Sequence, residues 1–348
     1  MPLADYVLAV GINRYPGLNK LDGAEADAQA FFDWATQSAG AVGQTILSSQ
    51  FAPAAAPILE QPASQQIWMF FETLRAAADN NNNQNLGYKA GRRLYMFFAG
   101  HGVSPSLDTS AVLMANAERS APHHLSAKAW ADRFYENGLF DEVLLFQDAC
   151  RETMDNFELT PPYLKKETTS GWQKRKRFYA FAAKSPLLAL EKPIGGAVRG
   201  IFSATLMAAL EGAARDPMSG EITTSQLKSY LIENMASRLT DEERENIDLS
   251  QRPEVFDLDP FVIVPAPLAV QPADVFPVHI TLAAPGAGAE VIDGDRQVVA
   301  QTGPGIVNWQ TLLARGLYEL VVPGQAGRLF KVSGALDAAG NPEIVHVS

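Results

Sequence analysis

The sequence predicts an α/β fold, a largely parallel sheet flanked by helices, followed by a second, small all-β sandwich domain. Three observations carry this. Tyr6 to Gly11, Arg93 to Ala99, Val143 to Phe146 and Phe178 to Ala183 are apolar runs without alternation, as expected of strands buried on both faces. Stretches with helical spacing separate them, the pattern of a layered α/β sheet. After Pro265 the text changes to short runs divided by Gly, Pro and Asp, the signature of a small β-sandwich.

A length of 348 residues accommodates two domains. They are expected at 1–264 for the α/β domain and 265–348 for a linker and the β module. Apolar residues at 47% and charged residues at 19% exclude a disordered chain. The net charge of −11 argues against nucleic acid and anionic membranes as partners. One cysteine, Cys150, rules out an intrachain disulfide and a thiolate-rich metal site. The N-terminus lacks a basic leader and no apolar run approaches the roughly 18 to 20 residues of a membrane span, so a cytoplasmic location is expected.

Taken in order, Tyr6 to Gly11 is the first strand. The stretch from Asp22 opens with a cap candidate, carries Glu25 three residues on, and brings Phe31, Phe32 and Trp34 into one helical window that stops at Gly40. Thr45 to Leu47 is a second short strand, 51–63 an Ala/Pro-rich loop, and Ser64 to Ala78 a helix. Asp79 to Asn85 has nothing to bury and is expected as a surface insertion. Arg93 to Ala99 runs directly into Gly100, His101 and Gly102. Ser126 to Tyr135 is the crossover helix to Val143–Phe146, which runs into Gln147, Asp148, Ala149 and Cys150. Helices at Gly200 to Gly212 and Thr224 to Leu239 and a strand pair within Val255 to Val264 complete the domain.

In an open α/β sheet, ligands gather outside the carboxyl ends of the strands. Two of the strongest strands deliver His101 and Cys150 there. A thiol becomes a nucleophile when a neighbouring imidazole takes its proton, and acyl transfer needs donors aimed at the developing oxyanion. His101 fits the base, Cys150 the nucleophile, and the backbone N–H groups of Gly102 and Cys150 the donors. The plainer reading of Cys150 is a small buried hydrophobe.

The blocks GINRYPGLNKLDGAEADAQAF, YMFFAGHG, LLFQDAC, FYAFAAKSP and GIFSATLMAAL, in that order, resemble the caspase-like cysteine peptidases, above all their bacterial caspase and metacaspase relatives, over residues 5–264. The resemblance implies a caspase-like sheet and a His101–Cys150 dyad that hydrolyses peptide bonds through an acyl-enzyme. Metacaspases cut after Arg or Lys, using paired acids in the pocket for the residue before the cut. LDGAEADA is similar to their segment for one of these acids, matching Asp27, and the D-x-C acid matches Asp148. A pocket for guanidinium or ammonium needs such carboxylates. The plainer readings are a solvent-facing helix acid for Asp27 and a strand-end cap for Asp148.

Two departures stand out. Metacaspases place His-Ser-Gly after the cysteine where this chain has Arg151, Glu152 and Thr153, and their paired-histidine motif is reduced to Phe98-Ala99-Gly100-His101-Gly102. The 151–177 connection corresponds to the region where relatives are cut on activation. It carries the candidate processing residues Lys165, Lys166, Lys174, Arg175, Lys176 and Arg177, whose plainer reading is a solvated face.

The expectation is an Arg/Lys-directed endopeptidase acting on protein substrates, made as a zymogen and switched on by an activating protease, a regulatory protein or itself. The resemblance implies a role as a bacterial effector in stress, cell death or defence. The alternative is a non-catalytic caspase-like scaffold that binds protein. Nucleotide binding is disfavoured because Gly11 to Gly17 fits no phosphate-loop pattern. No cofactor is expected and no metal ligand is assigned; the calcium dependence of metacaspases has no place in this sequence, since no dense oxygen-ligand loop is evident and Asp155, Glu158 and Glu167 are too scattered to argue from. The C-terminal module, with AEVIDGDRQV and GLYELVVPG, resembles Ig-like or PEGA-type β domains.

Overall fold

The computed structural model describes residues 3–106, 109–150, 157–165, 174–182, 191–194, 196–217, 219–235, 253–266, 275–282, 288–294, 296–333 and 345–347. The chain divides into one unit of Met1–Met207 with Leu227–Phe261, and a second of Ala208–Gln226 with Val262–Ser348.

In chain order the first half contains β1 (Tyr6–Gly11), α1 (Ala24–Gln37), β2 (Val42–Leu47), α2 (Ser64–Asn83), β3 (Arg93–Gly100), β4 (Gly102–Val103), β5 (Ala111–Leu113), β6 (His124–Leu125), α3 (Ala127–Asn137) and β7 (Glu142–Ala149). Then come β8 (Lys176–Phe181), β9 (Glu191–Ile194), β10 (Ala197–Gly200), α4 (Ile201–Ala208), β11 (Ile222–Thr223), α5 (Thr224–Asn234), β12 (Glu254–Asp257) and β13 (Val262–Val264).

The central sheet has the order β12-β8-β7-β3-β1-β2. Its strands are parallel except β12, which closes one edge antiparallel to β8. Every residue of β3 is buried, and β7 is buried from Val143 onward. Helices on both faces cause this: alternate side chains point opposite ways and both directions meet a helix. On one face Phe31 of α1 stacks on Phe97 at 4.8 Å and tilts against Phe146 at 5.3 Å. On the other, Leu94, Met96 and Phe98 join a cluster with Phe70, Phe71 and Leu74 of α2 and Trp130 and Phe134 of α3. Each such aromatic contributes about 1.5–3 kcal/mol by leaving water, so this core fixes where the strand ends fall.

Two expectations change. Asp79 to Asn83 extend α2 rather than forming an insertion. The extra turn is held by the Arg75–Asp79 ion pair at 2.7 Å and by the Asn81 amide, which donates to the Lys89 carbonyl at 2.7 Å. The expected final strand pair is instead two strands with different partners, because β13 pairs with β11 and β12 with β8.

The second unit contains that β11–β13 ribbon and two sheets, β17-β14-β20 and β16-β15-β18-β19, formed by β14 (Val275–Thr281), β15 (Ala289–Ile292), β16 (Val298–Thr302), β17 (Asn308–Ala314), β18 (Gly316–Val321), β19 (Arg328–Val332) and β20 (Val345–Val347). Pairing is antiparallel except between β14 and β20. Phe276, Val278 and Ile280 alternate inward along β14 to meet Val291, Leu320 and Val332. Among the described residues no helix is long and apolar enough to cross a membrane.

Candidate active site

The parallel register of β3 and β7 pairs Ala99 with Asp148 and Gly100 with Ala149. His101 and Cys150 are therefore the first residues past the paired edge, on strands that run side by side about 4.8 Å apart. Both line a cavity of about 830 Å³, together with Asp27, Asp148 and Glu191. Cys150 is partly exposed there, unlike a thiol serving only as core filling.

His101 is oriented from two sides. Its Nε2 lies 2.7 Å from the carbonyl oxygen of Asn19. A carbonyl only accepts, so Nε2 carries a proton, and in the neutral tautomer that fits this contact Nδ1 is the acceptor. The Tyr15 ring packs against the imidazole at 4.7 Å. The Tyr15 hydroxyl accepts the His101 backbone N–H at 3.0 Å and donates to the Leu113 carbonyl at 3.1 Å. Burial pushes the Tyr15 phenol well above its ordinary value, which keeps it a hydrogen-bond donor. The glycines flanking His101 are steric requirements. A methyl at Gly100 would overlap the Tyr15 hydroxyl, and one at Gly102 would overlap the Cys150 carbonyl.

The acid side is assembled from more distant parts of the chain. Asp27 is only 1% exposed, so it is not a solvent-facing helix acid. One of its oxygens accepts from the Arg199 guanidinium, and the other accepts the Gly200 N–H at 2.7 Å. Asp148 accepts the backbone N–H and hydroxyl of Ser203 at 3.1 and 2.6 Å, both on Oδ2. These donors belong to the first turn of α4, where the helix dipole favours a carboxylate. Burial pushes both carboxyls above the usual range. For Asp148 the negative charge of Asp27 adds to the rise, while for Asp27 the Arg199 guanidinium opposes it. Glu191 accepts the N–H groups of Gly23 and Asp22 at 3.0 and 3.1 Å. Gly200 sits against both aspartates, and a side chain there would overlap the Asp148 carboxylate.

The connection after Cys150 is described over 157–165 and from 174. Between Phe157 and Lys165 it is fastened to the body. Phe157 packs edge-on against His124, whose Nε2 accepts the Thr160 N–H at 2.9 Å. Ser126 donates to the Thr160 carbonyl at 2.6 Å, Tyr163 to Glu72 at 2.8 Å, and Asn137 to the Lys165 carbonyl at 2.8 Å. The basic run is not a uniform solvated face. Lys174 is exposed, but Arg175 is 7% exposed and donates to the carbonyls of Tyr135 and Glu136, each at 2.9 Å. Lys176 and Arg177 open β8, and Arg177 pairs with Asp132 at 3.1 Å. Residues 151–156 and Lys166 lie outside the described residues.

His101, Cys150, Gly102, Asp27 and Asp148, each singled out from sequence, thus line one cavity. Sequence reasoning missed Tyr15, Asn19, Glu191, Arg199 and Ser203. Tyr15 and Asn19 lie in the connection between β1 and α1, where position beyond a strand end is the one signal that marks them; Arg199 lies inside β10, Glu191 opens β9 and Ser203 is in the first turn of α4, and no such signal marks these three.

Residues 4–258 match the family model of the caspase domain, Peptidase_C14. Among solved structures the chain is similar to caspase-1 from Spodoptera frugiperda, at 10% sequence identity and a TM-score of 0.47, over 73% of this chain and 88% of that one. No curated protein matches it.

Proposed function

The chain belongs to the caspase-domain family of cysteine peptidases, and from that premise we propose that it is an endopeptidase cutting proteins after Arg or Lys through a His101–Cys150 dyad. The observation that carries this reading is the shared cavity: the nucleophile candidate, an imidazole whose Nε2 is held by a carbonyl, and the carboxylates of Asp27, Asp148 and Glu191 line one space.

In this reading the Cys150 thiol gives its proton to His101 Nδ1, and the thiolate attacks the scissile carbonyl carbon. The N–H groups of Gly102 and Cys150 receive the oxyanion. The C–N bond then breaks, the imidazolium protonates the leaving amine, and an acyl thioester remains on Cys150. Water, deprotonated by the same imidazole, hydrolyses the thioester and restores the thiol. The Asn19 carbonyl holds the ring in the required tautomer throughout and stabilises the imidazolium as it forms.

The carboxylates support a cationic residue before the cut. A guanidinium entering beside Asp148 relieves the cost of ionising a buried acid next to Asp27. Activation by cleavage in the 151–177 connection belongs to the same proposal, with narrower candidates. A residue inside a strand must leave the sheet before it can enter a protease cleft, which argues against Lys176 and Arg177, and Arg175 is buried and held by two carbonyls; Lys165, Lys166 and Lys174 are left.

The test is a peptide series varied only at the residue before the bond, assayed with wild type and Cys150→Ala. Wild type is expected to cleave Arg and Lys peptides and to spare Asp. The C150A protein is expected to unfold at the same temperature and to show no turnover above background. Equal turnover in the two proteins refutes the nucleophile, and a preference for Asp refutes the pocket.

A further inference from the structure

Of the four carboxylates that line the cavity, Glu118 is followed by Arg119, which lines it too, and the other three, Asp27, Asp148 and Glu191, are not equivalent. The donors to Asp148 and Glu191 are neutral, a hydroxyl and backbone N–H groups, which orient a carboxylate without cancelling its charge. Of these three, among the described residues, only Asp27 pairs with a formal cation, the Arg199 guanidinium. Among the described residues lining the cavity are Asp27, Asp148 and Glu191, and Arg199 is not one of them. Its side chain is 22% exposed, and it reaches Asp27 from β10 with Nη2 buried and without a hydrogen-bond partner among the described residues. The β9–β10 hairpin fixes this arrangement, because its register sets Gly200 opposite Glu191 and Arg199 opposite Lys192. One end of the hairpin therefore supplies both the cation on Asp27 and the third of these acids.

Resting on the basic-substrate reading, we propose that Arg199 is a resident counter-ion that neutralises Asp27, so that the cation of the residue before the cut is held by Asp148 and Glu191. Asp27 has one oxygen committed to the guanidinium and the other to the Gly200 amide. Asp148 receives both of its donors on Oδ2, and among the described residues no donor reaches Oδ1. The charge count agrees: with Glu118 and Arg119, which also line the cavity, four carboxylates less two guanidiniums leave two negative charges, and among the described residues no cation pairs with Asp148 or Glu191. Asp27 and Arg199 are then positioning residues acting through each other, and Glu191 determines specificity.

The test reads one quantity, the ratio of kcat/KM for an Arg peptide to that for its uncharged citrulline analogue. Glu191→Gln is expected to lower the ratio about tenfold through KM for the Arg peptide, with kcat unchanged. Asp27→Asn leaves Arg199 uncompensated beside Asp148 and is expected to lower the ratio at least as far. The double variant D27N/R199Q removes that stray cation and is expected to return the ratio to within about threefold of wild type. A ratio that stays low in the double variant shows Asp27 touching substrate directly and overturns the inference. If the double variant does not fold, R199Q alone decides: it keeps a donor to Asp27 and is expected to raise the ratio, and a fall overturns the inference. A wild-type ratio near one defeats the basic-substrate reading itself and this inference with it. A high wild-type ratio without rescue defeats only the inference.

Discussion

The nucleophile corner and the acid corner of the cavity are built by different means. At the first, two neighbouring parallel strands end in register and the backbone does the placing: a carbonyl orients His101, a phenol holds its N–H, and glycines admit the close packing. At the second, α1, β7, the β9–β10 hairpin and the first turn of α4 each send a group to one buried spot. Position in the first is fixed by sheet geometry and tolerates no side chain. Position in the second is fixed by charge, so it responds to pH and to substitution by an uncharged isostere.

The largest expected effect separates the corners. His101→Ala should lower kcat by about 10²–10⁴-fold on Arg and citrulline peptides alike, the usual worth of a positioned general base. A loss confined to the Arg peptide would erase the distinction between the corners.

Tyr15→Phe is the next sharpest probe. It deletes a buried hydroxyl bonded to the His101 N–H and the Leu113 carbonyl, so a loss of about 1–3 kcal/mol in denaturant unfolding is expected. Turnover should fall for both peptides by the same factor. Unchanged stability would mean that the hydroxyl does not hold the corner.

The smallest effect belongs to the acids and carries a definite sign. Burial, then the charge of Asp27, raises the Asp148 carboxyl above its unfolded value. The folded state therefore binds the proton more tightly, and stability falls as pH rises through the folded value. Asp148→Asn removes this penalty and should raise Tm by about 2–4 °C per kcal/mol recovered at about pH 8, with a smaller gain at about pH 4. A variant equally stabilised at both pH values would show that ionisation is not the source.

This difference also governs what the sequence disclosed. His101 and Cys150 were legible because unbroken apolar runs announce buried strands, and the residues after such strands fall at the ligand edge. Asp27 and Asp148 came from a resemblance of short motifs, and their burial was not visible in it. Arg199 and Glu191 escaped because nothing in their local pattern encodes the hairpin that delivers them to Asp27 and to the α1 N-terminus. The extra turn of α2 escaped for a similar reason. Its polar residues have no apolar surface to advertise a helix, and they are held by the Arg75 ion pair and the Asn81 amide. In the second unit β14 alternates between buried and half-buried positions, which made its β character readable without any motif.

The fastening of residues 157–165 has a mechanical consequence. A single cut between Lys165 and Lys174 would put β7 on one fragment and β8 on the other, yet these are hydrogen-bonded neighbours in the same sheet. The new carboxyl-terminal tail would stay clamped through Thr160, Tyr163 and Lys165, and the new amino-terminal piece would stay seated through Arg175 and Arg177. Such a cut would change the topology of the chain without changing its company: two bands under denaturing electrophoresis, one particle in gel filtration, and no path back to the unbroken polypeptide.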